Sequence, residues 1–322
     1  MGTSGSKPLA AGPGVELTAG GVSAMGYDLM LSVMRYASPT TVAEAVDLLG
    51  SEADARVYAG ATDLIPQIRA GRPEPTVMVD LKRIERLCAI SANGSTYTVG
   101  AATPTADICA HDGLAAAFPG LVEASGLIGS DQIQSRSSWG GNLANASPAA
   151  DTPPSLIVNE ARAVIAGPGG ERTVAAAEVA TGPGQTSLAP GEILVEFELD
   201  QPPARTADAY LRLIPRTEMD IAVVGAAARV TLDADGNVTA AAIALGAVAP
   251  TVVRVPEAEA ALIGNQPSGD ALAAVEAAAA AATTPIDDKR GTVAYRRQVA
   301  GVLARRAVSI AAERAARQGG QS

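Results

Sequence analysis

The chain has 322 residues, which is enough for two domains with a sizeable core. Its formal net charge is −10 and no basic run occurs, which disfavours binding to nucleic acid or anionic membranes because phosphate contacts need clustered Lys and Arg. No stretch approaches the roughly 20 apolar residues that a membrane-spanning helix needs.

The thiols and the imidazole limit the metal chemistry. Cys88, Cys109 and His111 are the only cysteines and the only histidine of the chain. An iron–sulfur cluster needs about four thiolates and a zinc site three or four closely spaced ligands, so no metal site is predicted. A disulfide between the two cysteines stays open, but so few thiols favour a reducing compartment, and we expect a cytoplasmic protein. His111 is interpreted as a surface residue beside Asp112, although its imidazole could serve as a base.

Ordered structure is expected from about residue 33. Residues 1–32 are rich in Gly, Ser and Ala without periodicity, which predicts a disordered extension. "SPTTVAEAVDLL" predicts an amphipathic helix capped by Ser38 or Thr40, since its apolar residues recur at helical spacing. "ARVYAGATDLIPQIRAG" predicts a strand, a turn at Gly60 and a short helix capped by Thr62.

The middle of the chain alternates strands with short helices. "TVMVDL" and "STYTVG" predict strands, and "GLAAAFPGLVEASGLIGSDQI" predicts a helical stretch interrupted at Pro119 and Gly126. "ARAVIAG" and "ILVEFEL" predict strands on either side of a loop rich in Gly and Pro. The tandem prolines of "DQPPART" indicate a domain boundary.

The last third of the sequence predicts a hairpin and then helices. "MDIAVVGAAARVTL" and "VTAAAIALGAVA" flank the turn "DADGN". "PEAEAALIG", "GDALAAVEAAAAAA" and "VAYRRQVAGVLARRAVSIAAERAARQ" predict helices. We therefore expect one domain at residues 33–202 and a second domain, of sheet plus helices, at residues 203–318.

Two loops are candidates for binding an anionic ligand. In "YAGATDL" the backbone at Gly60 and Ala61 can approach a ligand, and the start of the following helix directs amides outward. In "SWGGNLANASP" the pair Gly140 and Gly141 offers the same beside several polar side chains. Two such loops in one domain suit a pyrophosphate, and Asp151 could accept hydrogen bonds from ribityl or ribose hydroxyls. Either loop could instead be structural, as a helix cap in the first and a turn in the second.

Three segments carry a resemblance to a known family. In chain order they are "VYAGATDLIPQIRAG", "SSWGGNLANASPAADTPPSL" and "YLRLIPRTEMDIAVVGAAARV". Together they resemble the signature regions of the FAD-binding medium subunit of molybdenum hydroxylases, of the xanthine dehydrogenase and carbon monoxide dehydrogenase type, from about Met34 to Ala316. The resemblance implies an α+β fold: an FAD-binding domain of the vanillyl-alcohol oxidase type with two α+β subdomains, then a C-terminal domain of a small antiparallel sheet plus helices.

The resemblance also implies which residues bind FAD. The two loops would hold the pyrophosphate, Ile193 and Leu194 fall where relatives pack an aliphatic side chain on the flavin ring, and Arg212 would lie near the exposed flavin edge as the one candidate for a catalytic role. Asp220 matches an aspartate of the third signature. The expected cofactor-binding residues are Ala59, Gly60, Ala61, Thr62, Asp63, Leu64, Ser138, Gly140, Gly141, Asn142, Asn145, Ser147, Asp151, Ile193, Leu194, Arg212 and Asp220.

Three positions depart from the family pattern. Ala61 stands where many relatives have a glycine, and Met219 replaces the first member of an Asp-Asp pair. Trp139 replaces a small aliphatic residue, and it either packs near the dinucleotide or fills the core. Two cysteines cannot supply the four-cysteine loop that some relatives carry for an extra iron–sulfur cluster.

The resemblance implies an electron-transfer subunit of a larger oxidoreductase. A molybdopterin large subunit would hydroxylate an organic substrate, and the [2Fe–2S] clusters of a small subunit would deliver electrons singly to FAD, in a dimer of heterotrimers. An external acceptor such as NAD⁺, a quinone, dioxygen or another protein would then receive them. Two rival hypotheses stay open: a stand-alone flavin oxidoreductase that acts directly on a small organic substrate, and a scaffold whose glycine loops are only turns.

Overall fold

A computed structural model describes residues 34–318 of the chain. The predicted extension, residues 1–32, lies outside the described residues. Within them, short helices alternate with strands that form two larger sheets and two smaller ones, which confirms the α+β class expected from the sequence.

A three-stranded parallel sheet begins the fold, in the spatial order β1–β3–β2. Helix α1 begins at Thr41 rather than at the predicted Ser38 or Thr40, because the Thr41 hydroxyl accepts from the Glu44 amide while the Glu44 carboxylate accepts from the Thr41 amide. The elements of this first unit are β1 (Arg35–Ala37), α1 (Val42–Ser51), β2 (Ala55–Tyr58), α2 (Leu64–Arg69) and β3 (Val77–Asp80).

A five-stranded antiparallel sheet lies next to the first, in the order β4–β5–β10–β6–β7. One of its faces packs with β3 and α1 in a core that includes Val79, Val164 and Val195, and the other face packs under helices around Phe118 and Phe197. Its strands are β4 (Ile90–Ala92), β5 (Thr96–Gly100), β6 (Arg162–Gly167), β7 (Gly170–Ala175) and β10 (Ile193–Asp200), and a separate two-stranded ribbon consists of β8 (Ala180–Gly182) and β9 (Gln185–Thr186).

Short helices cover this second sheet. Pro119 begins α6 and Gly126 ends it, which confirms the predicted interruptions of the helical stretch. The helices of this region are α3 (Glu85–Cys88), α4 (Thr105–Cys109), α5 (Asp112–Ala117), α6 (Pro119–Gly126), α7 (Asp131–Gln134), α8 (Trp139–Ala144) and α9 (Thr152–Val158).

A four-stranded antiparallel sheet and three helices complete the described chain. The predicted hairpin is confirmed as β12 and β13, and an unpredicted edge strand, β11, precedes it. One face of the sheet packs against the three helices, and the other packs against α6 and α9. These elements are β11 (Thr206–Leu213), β12 (Val224–Leu232), β13 (Val238–Gly246), β14 (Val253–Arg254), α10 (Pro256–Leu262), α11 (Gly269–Ala281) and α12 (Val293–Gln318).

A buried carboxylate joins the last sheet to the helices of the second unit. Asp208 is 1% exposed and accepts hydrogen bonds from the amides of Gly120 and Leu121 at 2.8 and 3.0 Å. These amides begin α6, so they have no partner within that helix, and the carboxylate stabilises the positive end of the helix dipole. In the part of the chain that the structure describes, no helix has both the length and the apolar character needed to cross a bilayer.

Candidate functional site

A cleft of about 580 Å³ lies where β2, α8 and the beginning of β10 come together. It brings together most of the residues that the sequence selected, from both candidate loops and from β10. The predicted residues that line it are Ala59, Gly60, Ala61, Thr62, Asp63, Leu64, Ser138, Gly140, Gly141, Asn142, Asn145, Ile193 and Leu194. The predicted residues that do not line it are Ser147, Asp151, Arg212 and Asp220.

The first loop leaves the carboxyl end of β2 and packs closely against the chain before α8. A Cβ atom added to Gly60 would lie 1.9 Å from the carbonyl oxygen of Arg136, so only glycine permits this approach. Ala61 follows in the left-handed region with φ of 55°, a conformation that favours glycine over alanine.

The first loop presents backbone amides without partners. Within residues 34–318, the amides of Gly60, Ala61, Thr62 and Asp63 donate to no protein acceptor. Thr62 is not the predicted cap of α2: the cap position is Asp63, and no side-chain hydrogen bond to the helix forms there in the described chain. The loop is therefore not closed as a helix cap, and its donors are available to a ligand at the cleft.

A lysine at the end of β3 holds the first loop from behind. The ammonium of Lys82 donates to the carbonyl of Ala59 at 2.7 Å and to the carboxylate of Asp80 at 2.6 Å, and it lies 4.5 Å from the centre of the Tyr58 ring. The hydroxyl of Tyr36 donates to the other carboxylate oxygen of Asp80 at 3.0 Å. Burial opposes ionisation of Asp80, but the bonds from Lys82 and Tyr36 outweigh it and lower its pKa.

The second loop is the beginning of α8, and its two glycines have different surroundings. A Cβ atom on Gly140 would lie 2.5 Å from the carbonyl oxygen of Ala101, so Gly140 serves close packing against the end of β5. A Cβ atom on Gly141 would meet only the hydroxyl of Ser138, at 3.2 Å, and otherwise faces open space. The Ser138 hydroxyl caps α8 by accepting from the Gly141 amide at 3.1 Å.

Side-chain amides connect the two loops and fix the cleft. Gln67 of α2 donates to the side-chain oxygen of Asn145 at 2.9 Å, which links the helix after the first loop to the end of α8. Asn142 accepts from the hydroxyl and the amide of Thr152 at 2.7 and 3.2 Å. The oxygen of Asn142 therefore holds the start of α9, while its NH₂ group has no protein partner among the described residues.

Trp139 belongs to the core and does not line the cleft. Its side chain is fully buried, and its indole nitrogen donates to the hydroxyl of Ser125 at 2.8 Å. Its ring packs edge-on against Phe197, with 6.0 Å between the ring centres. Of the two interpretations that the sequence left open, the structure supports the one in which Trp139 fills the core. Ile193 and Leu194 are also almost wholly buried, at 1% and 6% exposure, so only the edges of these two aliphatic side chains reach the cleft.

Asp151 and Arg212 contact each other. The carboxylate of Asp151 accepts from Arg212 at 2.7 Å and from the Tyr210 hydroxyl at 2.9 Å, and both charged side chains are at least nine-tenths buried. Burial raises the pKa of Asp151 to about 6, although the Arg212 charge and the Tyr210 hydroxyl favour its ionised form. Tyr210 and Arg212 are on β11, so this cluster joins the chain before α9 to the last sheet.

The remaining predicted residues take part in local structure. Asp220 accepts from Arg216 at 3.1 Å and from its neighbouring amide in the turn between β11 and β12. The hydroxyl of Ser147 accepts from the Ala149 amide at 3.3 Å. His111 caps α5 through its ring nitrogen, and both cysteines are free thiols.

The residues at the cleft fit a dinucleotide cofactor. Unpaired amides of the first loop suit phosphate oxygens, and Arg72 adds a cation to the lining. The open side of Gly141 leaves space where any larger residue would project into the cleft. A family model for the FAD binding domain in molybdopterin dehydrogenase matches residues 32–202, and a model for the CO dehydrogenase flavoprotein C-terminal domain matches residues 209–311.

The chain belongs to the family of FAD-binding subunits of molybdopterin dehydrogenases. It is thus the flavoprotein component of an oxidoreductase, of the medium-subunit type found in multi-subunit molybdenum hydroxylases, and its cofactor is FAD.

Relatives of this family match nearly the whole described chain. The carbon monoxide dehydrogenase medium chain of Hydrogenophaga pseudoflava is 35% identical, over 87% of this chain and 98% of the relative. The xanthine dehydrogenase FAD-binding subunit of Escherichia coli O157:H7 is 31% identical, over 71% of this chain and 79% of the relative. A solved structure of the Hydrogenophaga pseudoflava carbon monoxide dehydrogenase, in a form lacking the Mo-pyranopterin moiety, superposes with a TM-score of 0.84 at 36% identity, over 87% of this chain and 98% of that one.

Sequence reasoning missed the residues that support the two glycine loops of the cleft. Lys82, Gln67 and Arg136 each act on a loop from a distant part of the chain. One signal was available, because Lys82 is the only lysine between residues 33 and 202 and directly follows a predicted buried strand. No feature of the sequence indicated the contacts of Gln67 and Arg136.

Proposed function

We propose that this chain binds FAD in the cleft and transfers electrons from the [2Fe–2S] clusters of an iron–sulfur small subunit to an external acceptor. A molybdopterin large subunit completes the complex, which we propose to be a dimer of heterotrimers, in the cytoplasm. When bound, FAD supplies the chemistry of accepting electrons one at a time and giving them up in pairs. The free thiols Cys88 and Cys109 support a reducing compartment.

One observation carries the proposal: the first loop lines the cleft, and the amides of Gly60, Ala61, Thr62 and Asp63 have no partner within residues 34–318. Successive unpaired N–H groups are costly to leave unsatisfied and commonly bind phosphate oxygens. Across the cleft, Gly141 leaves room for a ligand and the NH₂ group of Asn142 is free to donate. Together these groups would hold the pyrophosphate, and the edges of Ile193 and Leu194 would contact the flavin ring.

The cluster of Asp151 and Arg212 acts through the second loop. Asp151 directly precedes Thr152, whose hydroxyl and amide hold the oxygen of Asn142. The ion pair with Arg212 and the bond from Tyr210 fix the chain at this point, so they orient Asn142 toward the cleft. In this role Arg212 is a positioning residue, and proximity to the flavin edge is not required of it.

Domain limits of 33–202 and 203–318 accompany the proposal. Support comes from the two family models, which end at residue 202 and begin at residue 209, and from the chain between Asp200 and Thr206, which belongs to no helix or strand. The first of these domains contains every residue that lines the cleft.

The proposal is tested on the complex purified through an affinity tag on this chain. It predicts a flavin absorption spectrum, co-purifying iron–sulfur and molybdopterin subunits, and flavin reduction by the organic substrate of the complex only while those subunits are present. Rapid reduction of the flavin by a small organic substrate in the isolated chain would instead support the stand-alone oxidoreductase.

A further inference from the structure

Lys82 holds the peptide that begins the first loop. Its ammonium donates to the carbonyl of Ala59, and that carbonyl belongs to the same peptide unit as the amide of Gly60. In a trans peptide the C=O and N–H groups point in opposite directions. No cis peptide occurs among the described residues. Fixing the Ala59 carbonyl on Lys82 therefore directs the Gly60 amide away from Lys82.

The Gly60 amide is one of the unpaired donors of the cleft. It has no acceptor within residues 34–318, and Gly60 lines the cleft. The backbone of Gly60 also packs closely on the Arg136 carbonyl, since an added Cβ atom would lie 1.9 Å from that oxygen. The loop is therefore held by Lys82 at the Ala59 carbonyl and packed against Arg136 at Gly60.

The surroundings of Lys82 hold its ammonium in place. Asp80 accepts from both the ammonium and the backbone amide of Lys82, at 2.6 and 3.0 Å, and the Tyr58 ring lies beneath the charge. The Asp80 carboxylate offsets most of the lysine charge. Lys82 consequently acts by orientation of the peptide and not by a net field on the ligand.

We propose that Lys82 is a positioning residue for the cofactor: by fixing the Ala59 carbonyl it aims the Gly60 amide at the FAD pyrophosphate. This inference rests on the proposed function, since it requires FAD in the cleft. Loss of the lysine leaves the peptide free to rotate, so the amide spends only part of its time in the binding orientation. One hydrogen bond to a charged group then contributes less to binding, and we expect about a tenfold rise in the dissociation constant.

The test compares Lys82→Met with Lys289→Met in the complex purified through this chain. Lys289 is exposed, so its substitution is the matched control for the loss of a lysine. FAD is titrated into the flavin-depleted complex, and the ³¹P resonances of the bound pyrophosphate are recorded. The inference predicts about tenfold weaker binding and shifted ³¹P resonances for Lys82→Met, with the visible flavin spectrum unchanged, and wild-type values for the control.

Four results would overturn the inference or separate it from the proposed function. Lys82→Met with the affinity and resonances of the wild type overturns it. A lower unfolding temperature with unchanged ³¹P resonances also overturns it, because that result shows a purely structural role. If Lys82→Met does not fold, Lys82→Leu takes its place, because it also lacks a donor for the Ala59 carbonyl, and unchanged resonances then refute the inference. A wild-type complex that binds no FAD refutes the proposed function instead.

Discussion

The substitution Gly141→Ala separates the folding of α8 from binding in the cleft. Gly141 is within a helix, where alanine is favoured over glycine by about 0.5–1 kcal/mol. The added Cβ atom would meet only the Ser138 hydroxyl, at 3.2 Å, which is tighter than an ordinary contact, so this capping hydroxyl must shift slightly and part of the gain is lost. The same atom would project into the open cleft, where it would displace a bound pyrophosphate from the amides of the first loop. Losing one charge-assisted hydrogen bond of about 1.5–3 kcal/mol weakens FAD binding by roughly 10- to 100-fold.

Two measurements on the same complex check this prediction. The unfolding temperature of the flavin-depleted complex is expected to stay close to that of the wild type for Gly141→Ala, while titration with FAD shows the weaker affinity. Gly140→Ala is the contrast, because its Cβ atom would lie 2.5 Å from the Ala101 carbonyl and lower the unfolding temperature. Wild-type FAD affinity in a stable Gly141→Ala complex would refute the placement of the cofactor beside α8.

Further predictions concern the second loop, the core and a buried carboxylate. Asn142→Asp puts a negative charge at the cleft. Repulsion between this charge and a phosphate about 6 Å away costs about 3 kcal/mol at an effective dielectric constant of about 20, so we expect FAD affinity to fall on the order of 100-fold. Asn265→Asp, at an exposed position, is the control and should leave the affinity unchanged. Trp139→Phe removes the hydrogen bond to Ser125 and part of the ring volume, so we expect denaturant titrations to show a free energy of unfolding lower by about 2–3 kcal/mol. A loss of FAD affinity without a loss of stability would contradict the placement of Trp139 in the core. Burial raises the pKa of Asp208 to about 6 from an ordinary value of 3.8, so its contribution to stability is full below about pH 4 and is lost as the pH rises through 6. Asp208→Asn should therefore flatten the decline of unfolding free energy between pH 4 and 7, and an identical slope in the variant would count against this assignment.

Local chemistry made much of the fold predictable. The turn "DADGN" between two alternating strands predicted the hairpin of β12 and β13, because Gly236 adopts φ of 85° and the Asp233 carboxylate accepts from nearby amides. Pro119 and Gly126 likewise divided the helices as predicted, since proline begins a helix and glycine weakens it.

Tertiary packing decided what the sequence could not. Strand β11 pairs with the next strand, β12, but it is buried between α6 and α12, which lie far from it in the sequence, and no local pattern indicates that packing. Thr62 was expected to cap α2, but the helix begins at Leu64 and the cap position is Asp63, after a left-handed residue at Ala61. The ion pair joins Asp151, which directly precedes α9, to Arg212 on β11, and no local sequence pattern indicates that these two residues meet.

The sequence predicted which loops form the candidate site, but it did not predict the separate role of each residue within them. Both glycine loops were located from small residues alone, yet the sequence treated Gly140 and Gly141 alike. Their difference depends on the distance to Ala101, which only the assembled fold defines. The contact between Lys82 and the Ala59 carbonyl depends in the same way on the assembled fold, because it requires β2 and β3 to lie side by side.

The flavin content of the complex purified through this chain decides whether the cleft is an FAD site. Cofactor is released by denaturation and quantified by absorbance and chromatography against the amount of the chain. We expect about one FAD for each copy of the chain, held in the cleft between the two loops. A complex that contains no flavin and cannot be reconstituted with FAD would contradict it.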